Sequence, residues 1–256
     1  MSSFRGRVIV VVVAAAVSMF ASSAFAQGTA GQSSPPPGTV GDTMVVSDAA
    51  LPWFVMTGRI ALGGGSGTAE YDWDVNFIED LVGDVGGKET VDIEDLSHGA
   101  FIAEAFFMPT KARHFILSAA LSLGGGSGTA VSNDVFDDED YSYVFRTLSV
   151  GLGYQWFFGP KKNTNLFAMT HLGWGAYAFT VNFRGAEETS RAMGAFTYDL
   201  SVGSWHRFDS GFTLGGSLDY WALSYSGRAG DGGIIDTEVN GSQYAVRLNA
   251  LAGWSW

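Results

Sequence analysis

The sequence predicts an all-β fold, a transmembrane antiparallel up-and-down β-barrel of eight strands, with ten strands as the alternative count. Three observations predict it. From Leu51 onward apolar residues alternate with polar or small ones at a period of two, which is the periodicity of strands. The connections between these runs alternate between short and long, so short and long ones lie on opposite ends. One face of the runs is apolar and the other mixed, which suits a bilayer-facing exterior around a polar interior. A soluble barrel would present a polar exterior to water.

The first 50 residues stand apart from this pattern. Arg5 and Arg7 precede the apolar run Val8 to Phe20, and Ala24-Phe25-Ala26 supplies a small-residue cleavage site, so residues 1–26 read as a secretory signal peptide. Residues 27–50, with Pro35-Pro36-Pro37 among Gly, Ser and Thr, read as a flexible linker. The barrel is assigned to residues 51–256.

The strands follow in order. Runs occupy Trp53 to Gly64, Ser97 to Met108, Arg113 to Gly124, Tyr141 to Phe157, Asn165 to Phe183, Met193 to Arg207 and Gly211 to Ser226. The last stretch alternates most clearly, through Tyr244, Val246, Leu248, Ala250, Ala252, Trp254 and Trp256. In the second run Phe101, Ala103, Ala105 and Phe107 share a face opposite Glu104, and in the third Phe115, Leu117, Ala119, Leu121 and Leu123 lie opposite Ser118. Pro109 to Ala112, Phe158 to Thr164 and Phe208 to Ser210 are short turns; Gly65 to Leu96, Gly125 to Asp140, Arg184 to Ala192 and Gly227 to Asn240 are longer loops. Alternation resumes inside the first loop at Tyr71, Trp73, Val75 and Phe77. The stretch is read as loop, with a hairpin that projects as sheet as the alternative, and its alternation is the basis of the ten-strand count. The segment Leu62 to Ala69 recurs as Leu123 to Ala130, a glycine-rich repeat expected to bend or bulge the strand where it leaves the bilayer.

Aromatic residues cluster at both ends. Trp53, Phe107, Phe115, Trp156, Phe157, Phe167, Phe212, Trp254 and Trp256 fall near the short turns. Tyr141, Tyr143, Phe179, Phe183, Phe196 and Tyr225 fall toward the long loops. Two aromatic girdles at the two membrane interfaces are therefore expected.

Composition excludes other classes. A net charge of -12 argues against a nucleic-acid partner, and the absence of cysteine excludes disulfide scaffolds and thiolate metal sites. The charge is uneven: the first long loop holds Glu70, Asp72, Asp74, Glu79, Asp80, Asp84, Glu89, Asp92, Glu94 and Asp95 against Lys88, while the short turns hold Lys111, Arg113, Lys161 and Lys162. Asp72, Asp74 and Asn76 imitate the start of a calcium loop, but Phe77 replaces its glycine and Gly83 its final glutamate. Asn133 to Asp140 forms a denser patch, read as a solvated acidic loop. No metal or cofactor is assigned.

Four histidines bound the catalytic options: His98, His114, His171 and His206. Only His98 and Ser122 make a plausible base and nucleophile pair, and alternation points both inward, away from acyl chains. A lipid-modifying membrane enzyme is thus a remote alternative; no catalytic residue and no enzyme activity are expected. The inward phase instead collects Arg59, Glu104, Asp199, Asp219 and Arg247 near mid-depth, from five strands. Closure makes Arg247, Arg59 and Glu104 neighbours, with Asp219 one strand further. An eight-stranded interior is filled by side chains, so these ions should pair and close the lumen.

With signal peptide, alternating connections and a C-terminal aromatic in place, the chain resembles the small eight-stranded bacterial outer-membrane proteins of the outer-membrane protein A and X type, over Leu51 to Trp256. In that group the last strand carries an insertion signal, which Asn249, Trp254 and Trp256 match; Leu251 stands where the group usually has glycine. The resemblance implies recognition by the barrel insertion machinery, an outer-membrane location, and periplasmic N- and C-termini. The expected role is envelope integrity or surface interaction through acidic outer loops, with outer-membrane lipid and lipopolysaccharide as partners and room for a surface partner of unknown kind. The alternative is a narrow or gated small-solute channel, like that proposed for outer-membrane protein W relatives.

Overall fold

The period-two pattern resolves into a closed antiparallel ring. A computed structural model describes residues 51–75, 86–109, 113–132, 139–159, 161–183, 186–190, 192–229 and 235–256. The strands are β1 (Phe54–Val75), β2 (Gly86–Phe107), β3 (Phe115–Ser132), β4 (Glu139–Phe158), β5 (Thr164–Phe183), β6 (Ala186–Thr189), β7 (Met193–Arg207), β8 (Phe212–Ala229) and β9 (Ile235–Ser255). Eight of them pair with their neighbours around the ring, and β9 returns to β1 from Val55↔Ser255 to Val75↔Ile235. Four-residue β6 stands outside the ring, paired on the end of β5. The barrel has eight strands, not ten.

The extra alternation in the first loop lengthens two strands instead of adding two. The segment Gly65 to Leu96, expected to be loop, is largely sheet: β1 and β2 are 22 residues each, about twice the 9–11 that a tilted strand needs to cross a bilayer. Outward side chains record the exit from lipid, with Met56, Ile60 and Leu62 giving way to Thr68, Glu70 and Asp72 along β1. On the far part of this hairpin Lys88 pairs with Asp72 at 2.9 Å and Glu70 at 3.4 Å. The hydrogen bond to Asp72 and the charge of both carboxylates hold its ammonium pKa above the ordinary value.

The bulge expected at the glycine-rich repeats falls on the strand paired with them. The one irregularity lies across from them, where Glu94 and Asp95 of β2 bulge opposite Ser66, with Asp95 at φ 50°, a left-handed conformation that Asp tolerates. The second repeat keeps register with β4 throughout, and its inward glycines Gly124, Gly126 and Gly128 face Phe145, Tyr143 and Tyr141. A Cβ on Gly126 would lie 1.8 Å from the Ser97 carbonyl oxygen and 2.8 Å from the Tyr143 ring. The glycines make room for aromatic rings in the lumen.

Those rings overturn the second girdle. At the short-turn end Trp53, Phe107, Phe115, Trp156, Trp254 and Trp256 are exposed on the exterior as expected, whereas Phe167 is inside. At the long-loop end Tyr141, Tyr143, Phe179 and Tyr225 are buried in the lumen. The reason is parity: Tyr141 and Tyr143 share a face with Thr147 and Ser149, opposite the exposed Leu148 and Val150. Exterior aromatics of this half include Tyr198, Trp174, which meets Phe196, and Tyr220, which meets Tyr244. The Phe183 side chain lies outside the described residues.

The exterior carries a continuous apolar belt, including Ile60, Leu121, Leu148, Val150, Trp174, Val202, Leu214 and Val246, all more than two-fifths exposed. So much outward apolar surface on a closed sheet is solvated by hydrocarbon and not by water. The interior is layered. Nearest the short turns Val55, Phe106, Met108, Ile116, Phe167, Met169, Trp205 and Leu251 form one apolar layer. A larger layer toward the long loops includes Tyr141, Tyr143, Phe145, Tyr177, Trp221 and Tyr225. Between them lies polar matter.

Candidate functional site

Register builds that polar layer. Ser118 of β3 faces Gly151 of β4, which faces His171 of β5, which faces Asp199 of β7. Asp219 of β8 faces Ser201 of β7 and Arg247 of β9. Arg59 of β1 and Glu104 of β2 complete the circuit, two positions off direct opposition. All point into the lumen because each shares its strand's inward phase.

The structure brings all five predicted ions into one cluster, in a pairing the sequence did not specify. Arg59 Nη2 lies 2.5 Å from Glu104 Oε2, and Arg59 Nη1 lies 3.6 Å from Asp219 Oδ2. Arg247, expected beside Glu104, instead donates through Nη2 to Asp199 and reaches Asp219 Oδ2 at 3.4 Å. Asp219 is further held by Ser201 and Ser217, whose hydroxyls donate to its Oδ1 at 2.5 and 2.8 Å. Arg59, Glu104, Asp219 and Arg247 are each at most 3% exposed. Removal from water is offset only because each ion has an opposite charge in reach.

Two histidines belong to this cluster. His171 sits at cluster depth with Nε2 at 2.8 Å from both Glu104 Oε1 and Ser118 Oγ. Its Nδ1 lies 3.9 Å from Asp199 Oδ1. The signal available was the inward phase it shares with Phe167 and Met169; what sequence lacked was the register that sets it opposite Asp199. His98 does not pair with Ser122. Its Nδ1 meets the Tyr143 hydroxyl at 2.7 Å and its Nε2 meets Arg247 at 3.4 Å, while the ring packs on Trp221 at 4.4 Å. Arg247 in turn lies over the Trp221 ring at 5.5 Å, a cation–π contact. A cavity of about 10 Å³, lined in part by Ser122, Thr147, Ser149, His171 and Asp199, adjoins the cluster. That is the space of roughly one water.

The aromatic layer above is tied together by hydrogen bonds. Gln243 Nε2 donates to the hydroxyls of Tyr141 at 2.6 Å and Tyr177 at 2.5 Å, these two tyrosines also bond each other, and Tyr225 stacks on Tyr177 at 4.3 Å. The residues of the expected insertion signal divide: Asn249 is buried in the lumen, donating to the Ser217 carbonyl at 3.5 Å, while Trp254 and Trp256 face outward. Among the described residues no group of three or more His, Asp and Glu is placed to hold a metal ion. The acidic patch at 133–138 lies outside the described residues.

The chain has the fold of the small outer-membrane β-barrels. No family model and no curated relative matches its sequence. Among solved structures it is similar to the outer membrane protease OmpT of Escherichia coli, at 11% identity over 79% of this chain and 97% of that chain, TM-score 0.47. It is also similar to outer membrane protein OprG of Pseudomonas aeruginosa, at 10% over 77% and 94%, TM-score 0.40. Neisserial surface protein A aligns at 9% over 77% and 96%, TM-score 0.34. These likenesses concern the fold. One expectation is corrected by them: a protease stands among the neighbours, so the exclusion of enzyme activity does not stand. It was drawn from where four histidines fall relative to acyl chains, and that placement does not bound the chemistry of the rest of a barrel surface.

Proposed function

We propose that this protein is a sealed outer-membrane barrel that works at its surface, in envelope integrity or in contacts made by its acidic, protruding long-loop end. The observation that carries the reading is the lumen: a paired ion cluster enclosed between two apolar layers. A channel would use the same residues, and no observation favours it. In this reading the short-turn end faces the periplasm together with both barrel ends, which meet where Trp53 N–H donates to the Trp256 carbonyl at 3.0 Å. The long-loop end then stands in the lipopolysaccharide zone, where an exterior groove of about 450 Å³ lined by Ser66, Thr68, Asp92, Glu94, Asp95 and Tyr244 offers hydroxyls and carboxylates. Lipid and lipopolysaccharide are its immediate partners, and the last strand carries Asn249, Trp254 and Trp256 for recognition by the insertion machinery before the barrel closes. The test is recording from purified protein in planar lipid bilayers at neutral pH. Silence is expected; steady conductance steps of one defined size would refute the sealed lumen.

A further inference from the structure

We infer that the outer end of β4 binds the phosphate of an anionic lipid of the outer leaflet, and that Arg146 is the residue that holds it. The inference rests on the orientation proposed above for which leaflet supplies the lipid, and it is independent of whether the lumen conducts. Arg146 lies on the barrel exterior because it shares the phase of Val144 and Leu148, each 63% exposed. It stands opposite Leu123 of β3 and Ala176 of β5, and Leu123 and the nearby Trp174 are exposed as well. A guanidinium is thus set into the rim of the apolar belt. It does not lose its charge, and hydrocarbon does not solvate it. Every other lysine and arginine of the described residues has a partner within the protein, as Lys88 has Asp72, Lys161 has Asp209 and Arg113 has the Met108 carbonyl. Arg146 has none among the described residues.

What lies beyond Arg146 sets its depth. Four residues further out, roughly 13 Å along the strand, the same face of β4 carries Ser142, opposed to Ser127 of β3 and Thr180 of β5. There the exterior turns from apolar side chains to a row of hydroxyls. The bed between is shallow, because Val144 is opposed to Gly125 and Ala178. The arginine stem lies along apolar surface and delivers its charge to this boundary, where the anions of a bilayer are headgroup phosphates. A guanidinium offers paired N–H donors that match two phosphate oxygens, and the hydroxyl row supplies further donors from the water side. The surroundings favour a lipid over a soluble anion. Leu123, Leu148 and Trp174 present apolar surface to the acyl chains below the headgroup. A soluble anion would instead approach a chain of net charge -12 through a long-loop end rich in carboxylates, against its field.

The experiment uses the full chain refolded in phosphatidylcholine vesicles, with and without phosphatidic acid of the same acyl chains. Urea unfolding is followed for the wild type, Arg146→Gln, Arg146→Lys and, as a charge removed at the opposite end, Lys161→Gln. A lipid bound only by the folded barrel raises its stability, and one cation at a membrane surface gives a preference of about fivefold. Phosphatidic acid should therefore raise the folding equilibrium constant of the wild type and of Lys161→Gln about fivefold more than that of Arg146→Gln, with Arg146→Lys between them because it lacks the planar fork. Guanidinium ¹³C labelling reads the contact itself: the Arg146 Cζ signal, identified by its loss in Arg146→Lys, should be dephased by lipid ³¹P. Equal gains in the wild type and Arg146→Gln, equal losses in Arg146→Gln and Lys161→Gln, or an undisturbed Cζ signal would overturn the site. Inorganic phosphate added to the phosphatidylcholine vesicles should leave the wild type unchanged; stabilisation that Arg146→Gln abolishes would make the ligand a soluble anion and refute the lipid. Both leaflets of these vesicles are alike, so the outcome does not hinge on orientation, and recordings in planar bilayers judge the sealed lumen separately.

Discussion

Replacing Glu104 by alanine removes the carboxylate on which Arg59 rests. The pair is 2.5 Å apart with side chains 3% and 0% exposed, and deleting one partner of a buried ion pair costs roughly 3–5 kcal/mol because the survivor stays buried and uncompensated. Arg59 keeps Asp219 at 3.6 Å, which places Glu104→Ala toward the lower end of that range. Arg59→Ala should cost a similar amount, since Glu104 then retains His171 at 2.8 Å. The double variant removes both charges, and the coupling between the sites should be about 2–3 kcal/mol, near the upper limit for contacting residues. The assay is urea unfolding from lipid vesicles followed by tryptophan fluorescence, for the wild type, both single variants and the double. Losses that add to within about 0.5 kcal/mol would show that the two side chains act independently, and the cluster as described would be wrong.

Two further outcomes follow from facing and from packing. Ala119 is exposed on the apolar belt between Leu117 and Leu121, so Ala119→Arg should lose roughly 2–4 kcal/mol in the same unfolding assay; unchanged stability would mean that the exterior and lumen have been exchanged. Gly126→Ala should lose about 1–3 kcal/mol as an overpacked site, because its new Cβ meets the Ser97 carbonyl oxygen, whereas Gly194→Ala, with nothing nearer than 4.0 Å, should be silent. Equal effects at the two glycines would contradict the assignment of Gly126 to the crowded lumen.

Much of this architecture was legible in the sequence, and what was not has a physical reason. Parity is carried by every residue of a strand, so Leu148 and Val150 fixed the facing of β4, and the inward phase of Arg59, Glu104, Asp199, Asp219 and Arg247 could be read directly. Parity also placed Tyr141 and Tyr143 inside, but their position near a strand end suggested a girdle, and position proved the weaker guide. Register is a property of two strands at once. Nothing local to β5 or β7 states that His171 stands opposite Asp199, or that Arg247 turns to Asp199 and not to Glu104. The glycine repeats illustrate the same limit. Their spacing was visible, but their purpose lies in Phe145, Tyr143 and Tyr141 on the neighbouring strand. The strand end past Gly65 is hidden because outward apolarity stops there, whereas β1 continues with polar residues outward.

The central claim is a ring closed by β1 against β9 in a defined register, and a disulfide tests it most directly because the chain has no cysteine of its own. Ile60 and Ala250 are directly opposed across that seam, both outward, while Asn249 lies on the lumenal face beside them. Directly opposed residues of an antiparallel pair stand about 4.5–5.5 Å apart at Cα, within the reach of a disulfide. Ile60→Cys with Ala250→Cys should therefore cross-link on mild oxidation of the membrane-inserted protein, and Ile60→Cys with Asn249→Cys should not. Cross-linking of neither pair, or of both equally, would contradict the closed barrel.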